Sequence, residues 1–337
     1  MPSWLQDTVA QLRTEATWPI AAEDHRRIAG HGVRIRYADP ALAEAMGRST
    51  RHLETASSDT PSLTIDCWAA PDPILMPPPH APTIGTFHVD DGATILTWDA
   101  PDGPLFAYDR NLHKGWAAFS ASAGPPPWEQ AAPFSRILHW WGCERSLQLA
   151  HAAAVGHSAG GVLLVGRSGS GKSTTALACL DAGLAFAGDD GCLVEPGDPP
   201  WAHGLYLSAK GDANTARLLP GYREKFRQSP LTLRDKAVLF ADDIRPDSVV
   251  TGFPLLGIVV PRLTGRPQSQ LAPLDPAAAL RALAPSTVMH MPGYRADGLT
   301  RLAGMVRVLP AWELTLGPNP ATAAVLIKEL LHGQVGK

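Results

Sequence analysis

Gly166-Arg167-Ser168-Gly169-Ser170-Gly171-Lys172-Ser173 matches G-x-x-x-x-G-K-[ST], a pattern that constrains its surroundings as well as itself. It needs a buried strand before it and a helix after it, so that successive backbone N–H groups and a helix N-terminus face one anionic ligand. Both flanks are present. Gly161-Val162-Leu163-Leu164-Val165 is a short apolar run bounded by glycine, which reads as a buried strand. Ser173 to Leu180 contains neither Gly nor Pro and is rich in Ala, Thr and Leu, which reads as a helix, with Gly183 placed to end it. In such a loop the residues from Gly166 to Thr174 cradle phosphates. Lys172 reaches the β- and γ-phosphates, and the Ser173 hydroxyl ligates Mg²⁺. The expected ligand is ATP or another nucleoside triphosphate.

The next apolar run, Leu184-Ala185-Phe186-Ala187-Gly188, reads as a second strand and ends in Asp189-Asp190. Carboxylates at the end of a strand beside a phosphate loop face the ligand crevice. There they can hold Mg²⁺ or take a proton from an attacking hydroxyl. A solvated turn would leave the same two letters. Upstream, His151 opens the Ala-rich strand His151-Ala152-Ala153-Ala154-Val155-Gly156, as a neighbour of the phosphates or as a core histidine bonded to a carbonyl.

Composition narrows the function classes. A formal net charge of −3 makes no electrostatic case for nucleic acid or an anionic membrane as partner. Cys67, Cys143, Cys179 and Cys192 form no C-x-x-C pair and no metal-ligand spacing, so reduced, buried thiols are expected. Met1 to Asp7 lacks a basic stretch followed by an apolar one, and no apolar run approaches the ~20 residues of a spanning helix. A cytoplasmic protein is the expectation. Only 7 of the 29 basic residues are lysines, which makes each lysine near the loop worth inspecting.

Residues 4–14 carry Leu5, Val9 and Leu12 at helical spacing. From about Gly32 to Ser120 the pattern turns to short alternating runs: residues 33–37, 62–68, 93–98 and 105–108 read as strands. Pro71-Asp72-Pro73 and Pro77-Pro78-Pro79 read as loop, and Gly124-Pro125-Pro126-Pro127 as the linker. Residues 134–141 read as an amphipathic helix. The expected organisation is a β-rich (α+β) domain over 1–130 and a phosphate-loop α/β domain over 131–337. The first domain carries no phosphate motif but holds Trp68, Trp98 and Trp116, which suit either acceptor recognition or the domain's own core.

The segment from His151 to Glu195 resembles the catalytic core of the HPr serine kinase/phosphorylase family. That family shows a histidine opening a strand, a hairpin, a phosphate loop, one short helix and an Asp-Asp pair closing the next strand. The resemblance implies an HPr-kinase-like α/β fold and an ATP- and Mg²⁺-dependent kinase. It implies Lys172, Asp189 and His151 as catalytic residues, with Asp189 the base toward an acceptor hydroxyl, and Ser173 and Asp190 on the metal. The family's Glu-Ile-Arg-Gly-Leu-Gly segment and its C-terminal Gly/Arg/Asn signature have no counterpart, so neither the phosphorylase activity nor HPr as substrate is implied. The chain looks more like divergent HPr-kinase-like proteins, including kinases of lasso-peptide precursors. Lys210, Leu218-Leu219-Pro220 and Lys236 are loosely similar to lysines and a Leu-Leu-Pro-like segment of those relatives. The expected function is transfer of the γ-phosphoryl group of ATP to a serine-type hydroxyl of a peptide or small natural product. A nucleotide-sensing regulatory or assembly protein without transferase activity is the alternative, and homo-oligomerisation stays open.

Overall fold

The computed structural model describes residues 7, 8, 10, 12, 19–57, 60–70, 85–100, 102–288 and 297–334. Most of the helix expected over 4–14, and both proline clusters between 71 and 79, lie outside the described residues; Asp7, Thr8, Ala10 and Leu12 are helical. Among these described residues the architecture is mixed α/β, with sheets of seven, nine and three strands. The chain divides into two compact units, Met1–Trp141 and Gly142–Lys337.

In the first unit, β1 (Ala22–Ile28), β2 (His31–Tyr37), β3 (Leu63–Ala70), β4 (Gly85–Asp90), β5 (Thr94–Ala100), β6 (Leu105–Asp109) and β7 (Lys114–Ser120) form one sheet in the order β1-β2-β3-β7-β6-β5-β4. The pairs β2·β3 and β3·β7 are parallel and the rest antiparallel. The sequence Asp39-Pro40 starts α1 (Pro40–Gly47), because the Asp39 carboxylate accepts the Ala41 N–H at 2.8 Å and Pro40 needs no donor there.

Gly124-Pro125-Pro126-Pro127 is not a linker between the units. It leads into α2 (Pro127–Ala131), which docks on the first unit with Glu129 and Ala131 buried and the Ala131 carbonyl accepting from Ser49 Oγ at 2.7 Å. The following helix, α3 (Ser135–Cys143), lies against the sheet where β7 carries Gly115. A Cβ at Gly115 would stand 2.7 Å from Ile137 Cγ2, so the missing side chain sets how closely the helix approaches. Trp68, Trp98 and Trp116 belong to this unit's own core, with Leu12, Leu96 and Leu105 around them, so they do not form a contact surface.

The second unit is built on β17 (Gly252–Leu263). It pairs in parallel with β10 (Gly160–Leu164) and β19 (Ala311–Leu316), and antiparallel with β13 (Trp201–Gly204). The sheet extends through β9 (Ala153–His157) to β11 (Ala185–Gly188) on one side, and through β12 (Cys192–Glu195) to β8 (Gln148–Ala150) on the other. The strand β18 (Gln270–Pro273) pairs with β19.

Apolar residues on successive positions bury both faces of this sheet. Val162 and Leu164 pack on one side with Ala176, Leu177, Leu180, Ala323 and Ile327. Those partners come from α4 (Lys172–Asp181) and, after further helices, α9 (Pro320–Gln334). Leu163 and Val165 pack on the other side with Leu283, Leu302 and Met305, from α7 (Pro276–Val288) and α8 (Asp297–Val308). A small sheet, β14 (Ser208–Gly211), β16 (Lys236–Phe240) and β15 (Thr232–Leu233), stands apart. Between its strands run α5 (Ala213–Leu218) and α6 (Arg223–Gln228).

Candidate functional site

Strand direction assembles the site. Because β9 runs antiparallel to both β10 and β11, its beginning lies at the same sheet end as their terminations. His151 precedes β9, the Gly166–Ser173 loop follows β10, and Asp189-Asp190 follows β11. Three stretches far apart in sequence therefore meet at one edge.

The loop geometry explains two of its glycines. Gly166 has φ +150, and a Cβ there would meet Ser170 Oγ at 2.8 Å. Gly171, the N-cap of α4, has φ +101, and a Cβ there would run into Leu316 Cδ1. An L side chain at either position would be strained and crowded. Arg167, Ser168 and Gly169 are exposed at the tip. The Ser170 hydroxyl is buried without a hydrogen-bond partner among the described residues, which leaves a donor for a ligand atom in the loop.

Lys172 is buried and folds back over the loop, its ammonium donating to the carbonyls of Gly166 at 2.8 Å and Arg167 at 3.4 Å. Burial lowers its pKa, with Lys236 acting the same way, while Asp190 and Asp189 oppose the shift. Thr174 turns sideways, its hydroxyl 3.0 Å from that of Thr215, which in turn donates to Asp212.

The two aspartates are held differently. Asp189 is only 2% exposed and accepts from Ser173 Oγ at 3.0 Å through one oxygen and from the Lys210 backbone N–H at 3.2 Å through the other. Burial first, and the negative charge of Asp190 second, raise its pKa. Asp190 has φ +61, a left-handed conformation uncommon outside glycine. Its carboxylate lies 3.0 Å from the Lys210 ammonium and 3.7 Å from His151 Nε2. Burial works against its charge, but the Lys210 ammonium and then His151 outweigh it and hold the carboxyl well below the usual range. The His151 backbone N–H donates to Thr287 Oγ1 at 3.2 Å, which pins the start of β9 to α7.

The donor set fits magnesium bound with a nucleotide. No group of three or more His, Cys, Asp or Glu side chains that could hold a metal occurs among the described residues. Magnesium in nucleotide sites takes one or two carboxylates and draws its remaining oxygens from phosphates and water. Ser173 and Asp189 are hard oxygen donors already in contact. Asp189 is a buried carboxylate with no ion pair to a cationic side chain among the described residues, an arrangement a divalent cation would complete.

The structure thus brings together Gly166 to Thr174, His151, Asp189 and Asp190, whereas Leu219 of the Leu-Leu-Pro segment packs into the core. Lys210, which the sequence offered only through its loose similarity to a lysine of the divergent relatives, joins the site, as do Thr215 and Thr287, which the sequence did not single out. Thr287 arrives through a contact spanning 136 positions, and local pattern carries no signal for it; Lys210 meets Asp189 across 21 positions.

No protein-family model matches the chain, and no curated protein matches it. Among solved structures it is similar to the HPr(Ser) kinase/phosphatase from Coxiella burnetii, at 16% identity over 56% of this chain and 99% of that one, with a TM-score of 0.31. A TM-score that low does not establish a shared fold. No helix among the described residues is long and apolar enough to cross a membrane.

Proposed function

We propose that the protein is an ATP- and Mg²⁺-dependent kinase that transfers the γ-phosphoryl group to a hydroxyl of a peptide or small natural product. One observation carries the reading: a glycine-restricted loop that ends on a helix N-terminus has Lys172 folded over it and Ser173 bonded to a buried aspartate. Backbone N–H groups and the helix end suit phosphate oxygens. Lys172 is already shedding hydration and needs only to exchange two carbonyls for phosphate oxygens. Ser173 and Asp189 would hold the metal, which when bound offsets phosphate charge.

The geometry supports the opposite division of labour between the aspartates from the one the resemblance implies. Both Asp189 oxygens are engaged by donors, one of them the proposed metal ligand Ser173. Asp190 is less buried, ionised, and faces Lys210 and His151. Asp190 is then the group that accepts the proton of the attacking hydroxyl. The acceptor oxygen bonds to the γ-phosphorus, the β–γ bridging bond breaks and ADP leaves. A positioned base contributes ~10²–10⁴-fold.

The test is ATP turnover by the whole chain with and without a pool of serine-containing peptides, alongside binding of a non-hydrolysable ATP analogue. Acceptor-dependent ADP formation with phosphopeptide as product is the expected result. Binding without any transfer would favour a nucleotide sensor and overturn the kinase assignment.

A further inference from the structure

Lys210 touches both aspartates. It sits in β14, in the small sheet rather than the large one, and reaches across to the ends of the large-sheet strands. Its backbone N–H donates to Asp189 Oδ2 at 3.2 Å, and its ammonium lies 3.0 Å from Asp190 Oδ2. The second contact is an ion pair at 16% and 20% side-chain exposure, far less screened than a surface pair. β14 is itself held in register by β16, with Lys210 opposite Val238.

We propose that Lys210 is a positioning residue for phosphoryl transfer: its ammonium holds the Asp190 carboxylate, against a left-handed backbone, in the orientation that receives the acceptor's proton. The inference rests on the kinase reading above and adds a residue and a role to it. The Asp190 conformation needs such a partner. A non-glycine residue at φ +61 costs energy unless its surroundings over-determine it. The described contacts that fix the Asp190 carboxylate are the 3.0 Å pair with Lys210 and the longer 3.7 Å approach of His151. Lysine also suits the task, because its ammonium is a compact point charge that can stay with one carboxylate oxygen. The backbone bond to Asp189 is open to any residue at 210 except proline, so a Met, Gln or Arg side chain there isolates the ammonium.

The experiment compares wild type with Lys210→Met, which keeps the stem and loses the charge, and Lys210→Arg, which keeps the charge. The probes are ATP, the serine-peptide pool and a non-hydrolysable ATP analogue. Lys210→Met should lose kcat on the order of 10²-fold, the scale for a misplaced reacting group. Its analogue affinity and KM for ATP should stay within about threefold of wild type, since uniform binding is untouched. Lys210→Arg should recover at least about tenfold of that loss, because a cation again reaches Asp190. A role confined to packing would leave Lys210→Met active, since Met fills the same space. Should Lys210→Met fail to fold by circular dichroism, Lys210→Gln takes its place with the same expectation. Unchanged kcat in the charge-free variant overturns the proposal, and so does a loss confined to ATP affinity, which would make Lys210 a nucleotide ligand. Wild-type chain that binds the analogue but transfers nothing removes the kinase reading and this inference together.

Discussion

Glu129 offers a test of the first unit that is independent of catalysis. It lies in α2 with 3% exposure, and its Oε2 has no hydrogen-bond partner among the described residues. Burial pushes its pKa from an ordinary 4.5 to about 7, with Asp99 adding to the rise and Arg136 and the Phe134 N–H opposing it. The folded state therefore holds this proton more tightly than the unfolded chain does. Stability from this group is greatest below pH 4.5 and declines as pH rises through the interval to about 7, beyond which the loss is complete. At 1.36 kcal/mol per unit the full loss is about 3 kcal/mol, of which roughly 2–3 kcal/mol falls between pH 5 and pH 8.

Glu129→Gln removes the titration while keeping the shape, so its stability should lack that decline. Urea unfolding of the whole chain at pH 5, 6, 7 and 8, followed by tryptophan fluorescence, reads the difference. Eight of the ten tryptophans lie in Met1–Trp141 (Trp4, Trp18, Trp68, Trp98, Trp116, Trp128, Trp140 and Trp141), so the signal is dominated by this unit. With an m-value of ~1–3 kcal/mol per molar, the gap between the two midpoints should widen by about 1–2 M from pH 5 to pH 8. Parallel curves for wild type and variant would refute the reasoning, since Glu129 would then ionise as it does in the unfolded chain.

Lys172→Ala should abolish phosphoryl transfer at saturating ATP with an unchanged circular-dichroism spectrum, because the ammonium touches only loop carbonyls; full activity would show that the loop is not used as proposed. Asp190→Asn should keep analogue binding and lose transfer by ~10²-fold or more, whereas Asp189→Asn should weaken magnesium-dependent analogue binding, as titration calorimetry can resolve; interchanged outcomes would restore the assignment that the resemblance implies. Pyrophosphate formation from phosphorylated product and inorganic phosphate should be weak or absent, given the missing glutamate segment. Ready formation would place the protein with bifunctional kinase/phosphorylases.

The parts that were legible in the sequence are those encoded locally. The strand before the glycine-rich loop and the helix after it appear within one or two residues of their expected bounds, as β10 and α4, and Gly183 has the φ of +80 that a helix-ending glycine adopts. β1 was not legible, because Ala22-Glu23-Asp24-His25-Arg26-Arg27-Ile28 is mostly charged. Its Arg26 is buried with Asp24, Thr50 and the His25 carbonyl accepting its donors. The Gly124–Pro127 stretch misled because proline marks a turn equally well at a boundary and at a docked helix start. At the site, the side chains were legible one by one, but their pairing was not. Whether Ser173 meets Asp189 or Asp190 depends on the left-handed turn at Asp190, and Lys210 arrives from another sheet.

The antiparallel course of β9 has a practical side. It gathers His151, the Gly166–Ser173 loop and Asp189-Asp190 at one end of the sheet, and by the same geometry sends the β9–β10 turn, His157-Ser158-Ala159-Gly160, to the other. Ser158 and Ala159 are exposed there. A fluorophore or a short tag inserted between them would sit a full strand length from the phosphate loop, about 17 Å for five residues. That turn is a mounting point from which the proposed nucleotide binding can be tested or the chain tethered, with the candidate site left at the far rim.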